Sequence, residues 1–232
     1  RLLVPVFGRL YRLHRPLIRP GDRVLDIGAH RGTRTEVYRR LGAEVVAIEA
    51  DPDLVRALQR RFRGHPEVHV CHCAVTDPDQ AACGSVVLHR VAANPSLNSI
   101  RDDWAQLLGV PQDKDQLEVP ALTVAELEER YGPADFIKVD VEGAELAVLA
   151  GVLRAPRLIS LEVLPPALRE LPRMIETLCA HGLSEFNFTR GEQNRFRFTP
   201  WLTREEAPDR LSREISRGGG DLYARIPESS SA

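Results

Sequence analysis

The chain has 232 residues, 43% of them hydrophobic, with 31 basic and 33 acidic side chains and a formal charge of −2. That length and apolar content suit one large α/β domain and exclude general disorder, and no apolar run approaches the ~20 residues of a bilayer span, which excludes integral membrane association. The near-neutral balance argues against a nucleic-acid partner held by bulk phosphate neutralisation.

Two details survive this averaging. Of the basic residues 29 are Arg and only two are Lys (Lys114 and Lys138), and residues 1–63 hold 14 Arg against 7 acids. The four cysteines, Cys71, Cys73, Cys83 and Cys179, form no C-x-x-C pair. Cys71-His72-Cys73 offers metal-ligand types, but Val68, Val70, Ala74 and Val75 around it read as a strand in which small buried thiols are ordinary. A reducing, cytoplasmic setting is expected. A chain that begins at Arg1 rather than Met leaves a removed leader open.

In chain order, residues 2–18 read as an amphipathic helix stopped by Arg19-Pro20-Gly21-Asp22. Arg9, Arg12 and Arg15 share one face of it, either solvated or offered to a phosphate or membrane surface. Strand and helix then alternate: strands over 23–27, 44–48 and 68–74, with helices following Gly28 to Leu41 and over 52–62. Three such β–α repeats imply a parallel sheet with right-handed crossovers. Residues 76–120 break the rhythm as an insert, with a strand over 85–91, a polar loop over 94–99 and a short helix over 102–108 anchored by Trp104. Such an insert is either a lid or substrate wall, or a plain surface excursion. The alternation resumes with helices over 124–131, 144–150 and 166–181 and strands over 136–139 and 158–163. Segments 183–189 and 195–199 read as strands joined through Gly191, and 221–226 as the last strand. The organisation is an N-terminal helix over 1–21, an α/β domain over 22–226 and a frayed tail over 227–232.

The sharpest signal is Val24-Leu25-Asp26-Ile27-Gly28-Ala29-His30-Arg31-Gly32, a strand entering a helix through glycines. Gly28 permits a tight turn and close backbone approach, and Gly32 lets the helix pack near the strand. The spacing is G-x-x-x-G, not the G-x-G-x-x-G of a pyrophosphate site. Asp26 just before the turn repels a pyrophosphate and attracts an ammonium or sulfonium. A ligand bearing an amino acid fits, with Asp26 near its cationic end and the backbone N–H groups of the turn, including Ala29 and His30, on its carboxylate. Glu49 lies 21 residues after Gly28, where an acid accepts hydrogen bonds from both hydroxyls of a ribose. Ala50 continues that strand end, Asp51 caps the helix beginning at Pro52, and Ala74 and Val75 at the third strand's end flank the adenine. Adenosine plus an amino acid without phosphate describes S-adenosylmethionine.

The fourth strand reads Asp135-Phe136-Ile137-Lys138-Val139-Asp140-Val141-Glu142-Gly143-Ala144-Glu145. Together with the VLDIGAHRGT turn, the IEADP strand end and Leu161-Glu162-Val163, it resembles the FkbM-type methyltransferases over about residues 22–164. The resemblance implies a Rossmann-like class I α/β fold: a mostly parallel seven-stranded sheet, helices on both faces and an antiparallel C-terminal strand pair. It also implies S-adenosylmethionine-dependent O-methylation of a hydroxyl on a small molecule, sugar or glycan. The family usually carries Asn where this chain has His30, and a lysine at the position of Lys138.

In-line methyl transfer needs aligned oxygen, methyl and sulfur, and a group to take the hydroxyl proton. Asp140, across the switch point from the first strand, belongs to both the cofactor and the reacting end. Glu142 orients or deprotonates the acceptor, Lys138 pairs with carboxylates of neighbouring strands, and Glu162 faces the same cleft. Asp140 otherwise caps the next helix. Mg²⁺ between these carboxylates is the alternative, although no ligand spacing demands a metal. Two other functions stay open: a non-catalytic S-adenosylmethionine-binding sensor, and an NAD-dependent oxidoreductase, which lacks its G-x-G-x-x-G and Tyr-x-x-x-Lys here.

Overall fold

Apolar strands separated by amphipathic helices assemble into a sheet buried on both faces. The structure is a computed structural model describing residues 3–91, 94–111, 115–193 and 195–227. Its main sheet contains β1 (Arg23–Ile27), β2 (Glu44–Glu49), β3 (Val68–His72), β7 (Phe136–Val139), β8 (Leu158–Val163), β9 (Glu185–Arg190) and β10 (Gly220–Arg225). The order is β3-β2-β1-β7-β8-β10-β9, with the first five strands parallel and β10 antiparallel to both neighbours. The chain runs outward from β1 to β3 and then restarts at β7 on β1's other side. That reversal opens a crevice at the carboxyl ends of β1 and β7, where open α/β sheets bind ligands.

Side chains alternate across the strands and build two cores. On one face, Val24, Val45, Phe136 and Tyr223 pack with Leu10 and Leu13 of the leading helix α1 (Leu3–His14), with Leu17 just beyond it, and with Val37 and Tyr38 of α2 (Thr33–Arg40). On the other, Leu25, Ile27, Ile137 and Val139 meet Leu127 of α6 (Val124–Tyr131), Val148 of α7 (Glu145–Ala150), Leu178 of α8 (Leu171–Ala180) and Leu211 of α9 (Ala207–Ile215). Helix α3 (Pro52–Arg61) is opened by Asp51, whose carboxylate accepts from the Asp53 amide at 2.8 Å with Pro52 in the first turn. Helix α6 has a full capping box between Thr123 and Glu126.

The parallel frame and the antiparallel β9–β10 pair agree with expectation. Three details are corrected. The third strand is not continuous to Ala74: β3 ends at His72, and β4 (Ala74–Val75) leaves the main sheet for a three-stranded sheet of order β4-β6-β5. That sheet contains β5 (Ser85–His89) and β6 (Gln116–Leu122), and β6 was hidden by Pro120 interrupting its Leu117, Val119, Ala121 alternation. Residues 195–199 are not a strand. Only Phe196 bridges to Thr189 there, and the chain passes instead into α9, whose buried Ala207, Leu211 and Ile215 recur every fourth residue. The short helices α4 (Pro78–Ala81) and α5 (Trp104–Leu107) complete the insert. Residues 228–232 of the expected tail, and Lys114, lie outside the described residues. Among the described residues no helix is long and apolar enough to cross a membrane.

Candidate functional site

A cavity of about 610 Å³ occupies the crevice, within the ~300–1,000 Å³ typical of small-molecule sites. Its first wall is the turn from β1 into α2. Gly28 has φ +80°, and a Cβ there would lie 1.8 Å from the Asp140 carbonyl oxygen. Glycine therefore lets the exits of β1 and β7 cross; the close approach is to backbone. Gly32 has φ +74°, and a Cβ there would meet the Phe62 ring at 2.6 Å and Leu58 at 2.8 Å, so it makes room for α3 rather than for a strand. Gly32 does not line the cavity.

The expected amide cradle for a carboxylate is corrected by the hydrogen bonds. The Gly28 and Ala29 amides donate to the Ile48 carbonyl at 3.0 and 2.9 Å, and the Gly32 amide to Ala29 at 2.8 Å. The His30 amide donates to Glu49 Oε2 at 2.8 Å. The first two and the last of these donors tie the end of β1 to the end of β2, and none of the four is free for a ligand. His30 is left-handed at φ +50°, lines the cavity and has a buried Nε2 without a hydrogen-bond partner.

Glu49 lines the same cavity and is buried. Its Oε1 accepts from the Ala50 and Asp51 amides at 2.9 and 3.0 Å. A carboxylate has about four lone-pair sites, so with the His30 amide on Oε2 one acceptor position on Oε2 remains. Burial pushes its acid above the usual range, against three backbone hydrogen bonds. Ala50, Ala74 and Val75 line this end, together with apolar Ile48, Leu54 and Leu88. Asp26, also lining, accepts from Thr35 Oγ1 at 2.5 Å, and burial raises its acid too.

At the other side, Asp140, Glu142 and Glu162 each present an oxygen within 4.8 Å of the others, and all three line the cavity. Glu142 is held at φ +54°, an uncommon conformation for a side-chain-bearing residue. Two contacts keep it there: Ser99 Oγ donates to its carbonyl at 2.7 Å, and Trp104 Nε1 donates to Oε2 at 3.0 Å. Burial pushes the Glu142 acid up to about 7, opposed by the Trp104 bond and aided by the Asp140 charge. Burial and Asp140 drive Glu162 well above the usual carboxylate range. The loop amides of Val141 and Gly143 donate to Glu145 at 3.3 and 3.1 Å, so Glu145 and not Asp140 binds this helix entrance.

Lys138 is brought beside these acids but not to the cavity wall. Fully buried, it donates to the Val139 carbonyl at 2.9 Å and pairs with Asp221 at 3.0 Å and Asp140 at 3.4 Å. The structure does not bring this expected catalytic group to the cavity, because the ammonium ends at the carboxylates beneath it. Two residues of this network were missed in the sequence: Arg34, in the first turn of α2, and Asp221, at the start of β10. Arg34 pairs with Asp221 at 3.1 Å and lies 3.9 Å from Asp140. Burial pushes Asp221 up, but Arg34 and Lys138 outweigh it and hold the acid down at about 2. The one signal in the sequence was an acid opening an otherwise apolar strand.

The insert roofs the cavity, where Ser96, Asn98 and Ser99 line it. Asn98 Nδ2 donates to Asp51 at 3.0 Å and its Oδ1 accepts from the Val91 amide at 2.8 Å. Trp104 is buried as expected, although its indole also reaches Glu142.

A family model described as the methyltransferase FkbM domain matches residues 26–190. Ribosomal RNA small subunit methyltransferase A of Geobacter metallireducens is 37% identical over 62 residues, 27% of this chain and 22% of that protein. The rRNA adenine N-6-methyltransferase of Streptomyces fradiae is 44% identical over 65 residues, 28% of this chain and 20% of that protein. The chain thus spans about a fifth of the length of each of these two relatives. The crystal structure of methyltransferase FkbM from Methylobacillus flagellatus superposes with a TM-score of 0.51 at 14% identity, covering 95% of this chain and 58% of that one, which shows the shared fold. The matched span holds the glycine turn, Glu49 and the carboxylate cluster, and the chain belongs to the FkbM family of S-adenosylmethionine-dependent methyltransferases.

Proposed function

We propose that the protein methylates a hydroxyl of a small molecule or glycan, with Glu142 as general base. The observation that carries this reading is the cluster of Asp140, Glu142 and Glu162, with oxygens within 4.8 Å of one another, in the same cavity as Glu49. Glu49 ends β2 and Glu162 lies on β8, three strand spacings apart in the sheet order, a span of about 14 Å. An elongated nucleoside with an amino-acid tail suits that span, and the partnerless buried Nε2 of His30 is consistent with a polar ligand.

S-adenosylmethionine, when bound, supplies a sulfonium-borne methyl group for displacement by the acceptor oxygen. In this reading Glu49 offers its remaining Oε2 lone pair to the ribose, and Ala50, Ala74 and Val75 border the base. Glu142, with an acid near pH 7, is matched to accepting a hydroxyl proton at neutral pH. Asp140 stays paired to Lys138 at 3.4 Å. The same pairing argues against Mg²⁺: Lys138 and Arg34 already lie 3.4 and 3.9 Å from Asp140. A chelator is accordingly expected to leave turnover unchanged; loss of activity in EDTA, restored by Mg²⁺, would show that the cluster holds a metal.

The test uses labelled S-adenosylmethionine and a host extract, with labelled products identified by mass spectrometry, beside calorimetry with S-adenosylhomocysteine. Label on a hydroxyl of a small molecule or glycan is the expected result. Label in the RNA fraction, the acceptor class named for the two rRNA-modifying relatives, would replace the acceptor proposed here. Cofactor binding with no methyl transfer to any fraction would favour a sensor.

A further inference from the structure

The amides of Gly28, Ala29, His30 and Gly32, which the turn would offer to the cofactor's carboxylate, are engaged by Ile48, Ala29 and Glu49, so these four donors are closed to that anion. Arg34 lines the cavity with 24% of its side chain exposed. Its Nη2 is occupied by Asp221 at 3.1 Å, while its Nη1 is buried and has no hydrogen-bond partner among the described residues. Asp140, 25% exposed and on the same wall, lies 3.9 Å from the Arg34 Nε. An α-amino acid carries an anion and a cation on one carbon, and a guanidinium beside a carboxylate presents the opposite charges at matching separation. We propose that Arg34 and Asp140 form the subsite for the zwitterionic end of the cofactor, Arg34 taking the carboxylate and Asp140 the ammonium.

The proposal rests on the methyltransferase reading and adds to it a residue that no glycine-turn pattern contains. The subsite is built from below. Lys138 is fully buried and bonds Asp221 and Asp140, and Asp221 in turn anchors the Arg34 fork. An arginine clamped on one edge by a carboxylate loses little freedom when it binds a second one. It also explains why a fully buried lysine belongs under a ligand cavity: Lys138 offsets the two acids that orient the guanidinium.

The test compares three nucleosides by calorimetry on the intact protein. S-adenosylhomocysteine carries both charges, its decarboxylated analogue keeps only the ammonium, and 5′-methylthioadenosine has neither. Wild type is expected to lose about tenfold or more in affinity on removal of the carboxylate, and more again without the ammonium. Arg34→Gln should lose about tenfold for S-adenosylhomocysteine while holding 5′-methylthioadenosine within about twofold, and Arg34→Lys should recover part of the loss. Retained 5′-methylthioadenosine affinity certifies that the variant site is folded. Equal binding of S-adenosylhomocysteine and its decarboxylated analogue by wild type overturns the proposal, and needs no variant. An Arg34→Gln protein that keeps the full wild-type preference overturns it too. If folded wild type binds none of the three, the cofactor reading itself fails, which is a separate result.

Discussion

Glu142 concentrates several local demands in one residue. It accepts a left-handed backbone at φ +54°, it is half-buried, and its carboxylate is committed on one oxygen to Trp104. The adjoining Gly143 has φ +93°, and a Cβ there would sit 2.4 Å from the Trp104 ring, so the loop is moulded on that indole. Such strain persists only where the surroundings over-determine it. Glu142→Gln is expected to lower kcat by about a hundredfold or more while leaving S-adenosylhomocysteine affinity within about threefold. The wild-type rate should rise with pH to a plateau through a midpoint near 7, the value to which burial pushes this acid, and the variant should lack that step. Steady-state kinetics across pH, with calorimetry beside it, checks both. Unchanged turnover would remove Glu142 from the chemistry.

At the scale of elements, β7 and β10 meet through charge without sharing a backbone ladder. Lys138 projects from β7 to Asp221 on β10, although β8 lies between the two strands. Removing one partner of a buried ion pair leaves the other uncompensated, so Lys138→Met should destabilise the protein by roughly 3–5 kcal/mol, measured by urea unfolding. Replacing Lys138 and Asp221 together by apolar residues should cost less than the two single changes summed. Helix α1 docks by a different device. His14 is fully buried, its Nδ1 donates to the Leu10 carbonyl at 2.9 Å, and its Nε2 accepts from the Tyr223 hydroxyl at 3.2 Å. Burial lowers its pKa to about 4, so the neutral ring is the docked form. Because the folded value lies below the ordinary one, the stability His14 contributes is present above about 6.5 and is lost as pH falls towards 4. That loss amounts to about 3 kcal/mol at the acid end. Glu145 is raised to about 7 by burial and works in the opposite sense, favouring the fold at low pH. The His14 contribution is therefore read as a difference. Wild type minus His14→Phe in unfolding free energy should decline between pH 6.5 and 4, and a flat difference would refute the assignment.

For the whole molecule, one cavity draws on β1, β2 and β8, the loop leaving β7, the insert, and α1 through Arg9 and Leu10. A ligand there bridges both sides of the topological switch, so binding should stabilise the fold globally. S-adenosylhomocysteine at about 100 times its Kd should add about 2.7 kcal/mol and raise Tm by roughly 5–10 °C, with no shift from NAD at the same concentration. Differential scanning fluorimetry decides this, and an NAD shift with none from S-adenosylhomocysteine would restore the oxidoreductase alternative. The charge asymmetry also finds a place at this scale. Arg9, Arg31 and Arg34 of the basic first segment line the cavity, while Arg39 and Arg40 are paired to Glu36 on the outer surface of α2.

The sequence by itself determined what depends on neighbours along the chain. The parallel strands follow from short apolar runs, the turn from Gly28 and Gly32, and the cavity positions of Asp26, Glu49, Asp140 and Glu142 from strand ends, where side chains must face the crevice. Helix α9 was legible in the four-residue spacing of Ala207, Leu211 and Ile215, but Pro208 and the surrounding charge masked it. Only the tertiary structure decided how donors and charges were shared. The glycine-turn amides are consumed by Ile48 and Glu49 because β2 lies beside β1, and Lys138 acts through Asp221 because β10 inserts between β8 and β9. Local pattern reports which face a residue presents. Sheet order, which joins residues far apart in sequence, determines what that face meets, and a hydrogen-bond donor or buried charge has only as much capacity for ligand as its neighbours leave unused.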